Sequence, residues 1–343
     1  APRCQQLCPL AQTPLFGEHT MSLLLGIYLC LIAAVLPTLF YVLVIYWADR
    51  YEREPWWLAT VAFLWGAIPA VVVSIVGEVV LGLPFAGSAP SLGTEVVESA
   101  LFAPVIEELA KGLALLGLYR WAHQEFDGVL DGLVYGALIG FGFAMTENLF
   151  YFIGAFSEGG LASLTVLFIL RGVFFGLNHA FYTGLTGIGF GLARQSRSQV
   201  ARRCWPVIGL FAAIVAHALH NAGASLAEVN AASVGLSLLV ALTGLVTLLL
   251  TVLLSWQRER RIIRTELADE VGTLLSSQEY AQLTGRWRNP LRKRRAERAH
   301  MTRLQQLVEL AQRKYQLRAM QAHEEVQGRV EVERLRSQLL QSG

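Results

Sequence analysis

The chain has 343 residues, of which 54% are hydrophobic and 16% are charged, and its mean hydropathy is +0.46. A soluble domain carries about 25% charged residues. The composition therefore excludes a single water-soluble globule, a disordered protein and a disulfide-stapled secreted miniprotein. The charge divides the chain into two parts, because residues 1–256 carry a net charge of −5 and residues 257–343 a net charge of +7. An apolar body is thus followed by a basic tail.

Seven apolar segments approach the length of a transmembrane helix, which needs about 20 mainly apolar residues. They run roughly over 22–48, 56–82, 96–119, 129–156, 168–193, 206–227 and 231–256. The apolar stretch of the fifth segment starts at Leu161, and as one helix it would be about 50 Å long against a hydrocarbon core of about 30 Å. We therefore expect a break or an interfacial segment before Arg171, and we expect the Arg171 side chain to snorkel outward.

The fold class that follows is all-α, a polytopic helical membrane protein with about seven transmembrane helices and a helical cytoplasmic tail. The predicted divisions are a short extracytoplasmic N-terminus (1–21), a transmembrane helical domain (22–256) and a basic tail (257–343). Basic residues occur only in alternate connections, which predicts an N-terminus outside a bacterial plasma membrane and a C-terminus in the cytoplasm. Close helix packing is predicted by glycines at small-residue spacing, namely Gly132, Gly136, Gly140, Gly184, Gly187 and Gly191.

The tail is rich in Arg, Glu, Gln and Leu, and residues 291–340 have a helical pattern. Its apolar positions at roughly helical spacing are Leu304, Leu307, Leu310 and Leu317. This pattern indicates an amphipathic or coiled helix that is solvated on one face. The basic cluster Arg292 to Arg295 suits anionic lipid, so the favoured roles of the tail are membrane-surface contact or self-association, and no nucleic acid partner is expected.

Ionisable residues inside a membrane are costly and usually mark function. The third segment contains Glu107 and Glu108, which are four and three residues before Lys111. Lys111 can reach either carboxylate on one side of a helix. Two carboxylates and one ammonium leave one charge uncompensated, so either one Glu is protonated or another cation is nearby. A purely structural ion pair would need only one glutamate.

Three further segments carry polar groups at a similar depth. Taking 1.5 Å per residue, Glu107 and Glu147 each lie about 15 Å below the outer end of their segments, and the histidine of the fifth segment does too if that helix starts near residues 168–170. The groups brought to this level are Glu147 and Asn148, His179 and Thr183, and His217, His220 and Asn221. Their convergence predicts one site, at mid-depth or slightly toward the outside.

These motifs resemble the PrsW family of intramembrane proteases, a branch of the group that includes the type II CAAX prenyl endopeptidases. The matching pieces are Asp49–Pro55, Glu107–Lys111, Phe143–Asn148 and the two histidine motifs. The resemblance covers about residues 45 to 225 and implies hydrolysis of a membrane-anchored protein, such as an anti-sigma factor, within the bilayer. Carried over by position, the implied active-site residues are Glu107, Glu108, Lys111, Glu147, His179 and His217, with Asn221 in support, and Asn148 beside Glu147 is a further candidate.

Two hydrolytic mechanisms remain open. No serine or cysteine occurs at the mid-membrane level with a base on a helical face, which favours activated water over a covalent route. In a glutamic route, Glu107 or Glu108 acts as general base, and His179 or Asn221 stabilises the oxyanion. In a metal route, Zn²⁺ is held by ligands from His179, His217, His220 and Glu147, and one of the paired glutamates takes the proton. The residues alone favour the metal-free route slightly.

Two other classes of function are compatible with the same residues. A non-catalytic membrane scaffold or binding protein would use the buried charges for partner binding, as non-enzymatic members of this superfamily do. An ion-coupled transporter would use them as a proton relay. The absence of a visible inverted repeat in the sequence disfavours the transporter.

Overall fold

The computed structural model describes residues 16–49, 54–85, 91–122, 125–285, 298–319 and 325–341. Within these ranges the protein is helical and has no strand, apart from an isolated bridge between Val271 and Leu275. The α-helices are α1 (Phe16–Ala48), α2 (Trp56–Trp65), α3 (Val71–Gly82), α4 (Leu92–Val97), α5 (Ala103–Trp121), α6 (Val129–Leu167), α7 (Asn178–Gln195), α8 (Gln199–Ser225), α9 (Val234–Glu266), α10 (Ser277–Thr284), α11 (Arg298–Ala319) and α12 (Glu325–Gln341). The predicted all-α fold is confirmed.

Five helical stretches among the described residues are long and apolar enough to cross a membrane. They are Leu24–Ala48, Trp56–Gly82, Val129–Gln195, Gln199–Ser225 and Ala231–Glu270. The stretch Val129–Gln195 has 67 residues and contains both the fourth and the fifth predicted segments. The predicted third segment is outside this set because Glu107, Glu108 and Lys111 raise its charge. The protein is therefore a multi-pass membrane protein, and the number seven stays a prediction.

Irregular turns interrupt the apolar helices near the level of the polar residues. One π-helical turn, Gly66–Ala70, joins α2 to α3, a second, Glu98–Phe102, joins α4 to α5, and a third, Phe168–Phe174, follows α6. In addition, α6 is kinked at Gly160, whose φ of 63° lies in the left-handed region that favours glycine. Within the stretch that starts at Leu161, the helix becomes irregular at Phe168, before Arg171 as expected. Short π-helical insertions are frequent at functional sites.

Helices α6 and α7 pack with almost no space between their backbones. A Cβ atom built on Gly187 would lie 1.8 Å from the Gly132 carbonyl oxygen, and one on Gly140 would lie 2.2 Å from the His179 carbonyl oxygen. Only glycine fits these positions, so the predicted small-residue packing is confirmed. The same contact fixes the position of His179 relative to α6.

Substitution of Gly187 by alanine is expected to destabilise the protein. The new methyl group would overlap the Gly132 backbone and push α7 away from α6, and overpacking of this kind costs about 1–3 kcal/mol. Thermal unfolding of the purified protein in detergent measures the effect. Gly154→Ala on α6 is the matched control, because a Cβ atom there would meet nothing within 4 Å. Equal melting temperatures of the two variants would contradict this packing.

The tail forms a small helical core of its own around the end of α9. That helix continues through the predicted division at residue 256 as far as Glu266. The predicted apolar face of the tail is buried, since Leu304, Leu307 and Leu310 are 0–1% exposed and pack with Ile263 and Leu267 of α9 and its end. The basic cluster Arg292–Arg295 lies outside the described residues, and its lipid contact stays a prediction.

Candidate functional site

Helix α5 places three ionisable side chains in the interior of the helical bundle. Glu107 is 5% exposed, and Glu108 and Lys111 are fully buried. Lys111 Nζ donates to Glu108 Oε1 at 2.6 Å and to Glu107 Oε2 at 3.3 Å. The spacing of three and four residues therefore gives the pairing expected on one helical side. The ammonium group of Lys111 is therefore the shared partner of both carboxylates.

Glu108 is held by three helices at once. In addition to Lys111 of α5, His217 Nδ1 of α8 lies 3.0 Å from Glu108 Oε1. Thr183 Oγ1 of α7 donates to Glu108 Oε2 at 3.2 Å. Both oxygens of this carboxylate thus have polar partners, which is what a buried charge needs. Glu107 has fewer close contacts: its Oε2 lies 3.3 Å from Lys111 Nζ and 3.9 Å from His217 Nδ1.

His179 of α7 joins the α5 cluster to α6. Its Nε2 lies 2.8 Å from Glu147 Oε2, and its Nδ1 lies 3.4 Å from Lys111 Nζ. A histidine whose Nε2–H is given to a carboxylate keeps the lone pair on Nδ1. With that tautomer, Glu147 turns the basic nitrogen of His179 toward the α5 charges.

Aromatic rings enclose the histidines and the ammonium. Tyr182 stacks on His217 with ring centroids 4.6 Å apart and an interplanar angle of 17°. Phe143 lies beneath Lys111, whose Nζ is 4.1 Å from the ring centroid, and its ring is 5.4 Å from that of His179. A low-dielectric wall of this kind strengthens every charge interaction inside it.

The side chain of Arg171 points into the protein, so the expectation that it snorkels outward was wrong. Its Nη2 lies 2.7 Å from Glu147 Oε2, and its Nε donates to Asn148 Oδ1 at 2.8 Å. The one signal in the sequence was the presence of an arginine in an apolar segment. The direction of the Arg171 side chain depends on the π-helical turn, and this turn has no clear sequence signature. Arg171 is the site residue that sequence reasoning missed.

Four side chains have the ligand types and the proximity of a metal site. They are Glu107, Glu108, His179 and His217, which are all buried and whose ligand atoms lie within 4.8 Å of one another. Imidazole and carboxylate groups are the ligands of many catalytic zinc sites. Of the four predicted zinc ligands, His179 and His217 are in this set, whereas Glu147 and His220 are not. The donors present fit a divalent cation.

The remaining predicted residues lie beside the cluster. His220 Nδ1 is 3.2 Å from Asn178 Nδ2. Asn221 Nδ2 donates to the Ser99 carbonyl oxygen at 2.8 Å, and Ser99 Oγ lies 2.8 Å from Ser225 Oγ. Asn221 thus ties α8 to the π-helical turn that precedes α5.

The model of a family described as "PrsW family intramembrane metalloprotease" matches residues 54–253, more than half of the chain. The chain belongs to the PrsW family. The matched range contains the four donors and their partners on α5 to α8, so the resemblance inferred from the motifs is confirmed.

Individual PrsW proteins are similar to the chain at moderate identity. Protease PrsW of Geobacillus kaustophilus is 28% identical over 47% of this chain and 65% of its own length. Protease PrsW of Halalkalibacterium halodurans is 25% identical over 56% and 81%, and that of Bacillus subtilis is 30% identical over 36% and 53%. The chain thus spans less than two thirds of the Geobacillus and Bacillus proteins. No solved structure matches the chain.

Proposed function

We propose that this PrsW-family chain is an intramembrane endopeptidase that hydrolyses a membrane-anchored protein. The observation that carries the proposal is the buried cluster of Glu107, Glu108, His179 and His217, which three helices bring within 4.8 Å. Buried ionisable groups inside membrane helices are costly and mark functional sites. A site of paired carboxylates and imidazoles suits the activation of water.

Water is the nucleophile in this proposal. Within the described part of the chain, no serine or cysteine contacts Glu107 or Glu108. A threonine hydroxyl beside them, Thr183 Oγ1, donates its proton to Glu108 Oε2. Glu108 is also the partner of Lys111 and His217, so we assign the Thr183 hydroxyl to holding this carboxylate rather than to covalent attack.

Glu107 is the general base, and Glu108 is the anchor of the site. Glu108 already has Lys111, His217 and Thr183 as partners, whereas Glu107 faces Lys111 and, more distantly, His217. The carboxylate with free lone pairs can take a proton from water while the water oxygen bonds to the scissile carbonyl carbon. The same proton then passes to the leaving amine nitrogen as the C–N bond breaks, so Glu107 returns to its charged form.

The charge of the site and its donor types support a bound zinc ion. Three carboxylates (Glu107, Glu108 and Glu147) face two cations (Lys111 and Arg171), so one negative charge is in excess when both imidazoles are neutral. His179, His217 and one of the paired carboxylates would hold the metal. When bound, zinc polarises the carbonyl group and makes water more acidic. The protein contributes the base, the orientation of its histidines and a closed apolar wall.

The proposed setting is a bacterial plasma membrane, with the N-terminus outside and the tail in the cytoplasm. A cut toward the outer side of the bilayer follows from the site depth. The substrate class is a membrane-anchored protein, of which a single-span anti-sigma factor is one example. Lipid surrounds the body, and the tail contacts anionic lipid or a second copy of the chain.

The orientation makes Cys204 a topology marker. Cys204 is exposed at the start of α8, whereas Cys30 is fully buried. In a Cys4→Ser, Cys8→Ser variant, a membrane-impermeant maleimide is expected to label inverted vesicles at Cys204 and to leave intact cells unlabelled. Cys204→Ser is the control for label at other positions. Labelling of Cys204 in intact cells would reverse the proposed orientation.

Reconstitution tests the activity directly. Purified protein in liposomes is mixed with single-span proteins extracted from bacterial membranes, and the products are identified by mass spectrometry. The expected result is cleavage within the outer half of a transmembrane segment by the wild type. Intact substrates with folded wild-type protein, over a range of extracts and added zinc, would favour a scaffold.

A further inference from the structure

Arg171 makes three contacts with one stretch of α6. Its guanidinium carbon lies 3.9 Å from the ring centroid of Tyr151, in addition to the contacts of Nη2 with Glu147 and of Nε with Asn148. Its side chain is 23% exposed. The planar fork of an arginine can grip two acceptors at once, which a lysine cannot do. The guanidinium therefore fixes the carboxylate of Glu147 in one place.

The backbone that carries Arg171 is itself fixed. Phe175 N donates to the Leu170 carbonyl oxygen at 2.9 Å, the five-residue step of a π-helical turn. Tyr41 of α1 donates its hydroxyl to the Gly172 carbonyl oxygen at 3.0 Å. A Cβ atom on Gly176 would lie 2.7 Å from the Tyr41 ring, so the segment has no room to move toward α1. The π turn thus aims Arg171 at Glu147.

A continuous chain of contacts leads from this arginine to the proposed catalytic cluster. Arg171 contacts Glu147 at 2.7 Å, Glu147 contacts His179 Nε2 at 2.8 Å, and His179 Nδ1 faces Lys111 at 3.4 Å. A histidine held by a carboxylate on one nitrogen presents the other nitrogen in a fixed tautomer and direction. Loss of the arginine would leave the Glu147 carboxylate free to turn toward Lys111.

We propose that Arg171 is a positioning residue, which acts through Glu147 to hold His179 as the tautomer whose Nδ1 faces Glu107, Glu108 and Lys111. The proposal rests on the function proposed above. The contacts of Arg171 described above are with Glu147, Asn148 and Tyr151, which lie outside the four-donor cluster. Its action through Glu147 distinguishes it from an arginine that only stabilises the fold.

Kinetics of cleavage in liposomes test the proposal. Arg171→Met is expected to lower kcat by 10- to 100-fold with little change in KM, as loss of such supporting contacts does. Arg171→Lys is expected to recover part of the loss, because an ammonium can still pair with Glu147. In a Glu147→Gln background, Arg171→Met should add less than about threefold, since coupled residues are not additive. Arg203→Met, at an exposed arginine of α8, is the matched control.

A second readout does not depend on activity. The ¹⁵N signals of the His179 ring, assigned by their loss in His179→Gln, are expected to show one tautomer with the proton on Nε2 in the wild type. In EDTA-treated protein, in which no zinc fixes the ring, a mixture is expected in Arg171→Met and Glu147→Gln, and no change in Arg203→Met. Wild-type kinetics in Arg171→Met, full additivity with Glu147→Gln, or an unchanged His179 tautomer would each overturn the positioning role. Inactive wild-type protein would instead contradict the proposed function, and the ring signals would then decide the positioning role alone.

Discussion

Glu107→Gln is expected to abolish cleavage while the protein stays folded. The amide has almost the shape of the carboxylate but cannot accept a proton from water, and general bases contribute about 10²–10⁴-fold to rates. Stability should change little, because Lys111 keeps its shorter contact of 2.6 Å with Glu108. Cleavage rates and melting temperatures in detergent measure both effects.

Two variants make this test specific. Glu95→Gln, at an exposed position of α4 on the same helical stretch, should cleave like the wild type. Glu108→Gln should lose both activity and stability, because breaking a buried ion pair from one side costs about 3–5 kcal/mol. Normal cleavage by Glu107→Gln would remove Glu107 from the base role, and an equal loss of stability in both glutamine variants would contradict the division between base and anchor.

Removal of zinc is expected to lower cleavage by about 10²-fold or more. A catalytic metal stabilises transition-state charge by several kcal/mol, and each 1.36 kcal/mol is a factor of ten in rate. Treatment with EDTA followed by gel filtration should yield inactive protein that regains activity with added zinc. Elemental analysis should find one zinc per active chain.

Histidine variants identify the ligands. His217→Ala removes one of the four clustered donors and should lose the zinc. His220→Ala removes a neighbouring ring that contacts Asn178 instead and should keep it. Full activity at zinc contents far below one per chain would rule out the metal and leave Glu107 as an unaided base. If only His220→Ala lost the zinc, the zinc ligand on α8 would be His220 and not His217.

Much of the site could be predicted from the spacing of residues along a helix and from the free-energy cost of burying ionisable groups. The positions of Glu107, Glu108 and Lys111 follow from helical geometry. Their meeting with His179 and His217 follows because buried ionisable groups at one membrane depth must find one another. The glycines of α6 and α7 predicted close helix packing, and in the structure these two helices pack against each other beside His179.

Other features depend on tertiary context. The inward direction of Arg171 results from a π-helical turn supported by Tyr41, which no local pattern encodes. The charged residues of α5 lower its hydropathy below that of a typical spanning helix. Because these charges belong to the candidate site, the number of spans cannot be read from hydropathy alone. The spacing of the leucines in the tail predicted an apolar face. It did not predict that this face packs against residues at the end of α9.

The most direct test of the account is a comparison of new protein N-termini in membranes from cells that make the wild type, Glu107→Gln or Glu95→Gln. The account predicts N-termini that occur with the wild type and Glu95→Gln, are absent with Glu107→Gln, and lie in the outer half of a transmembrane segment. Identical N-termini in all three membranes, with equally abundant and folded proteins under several stresses, would contradict an intramembrane protease whose base is Glu107.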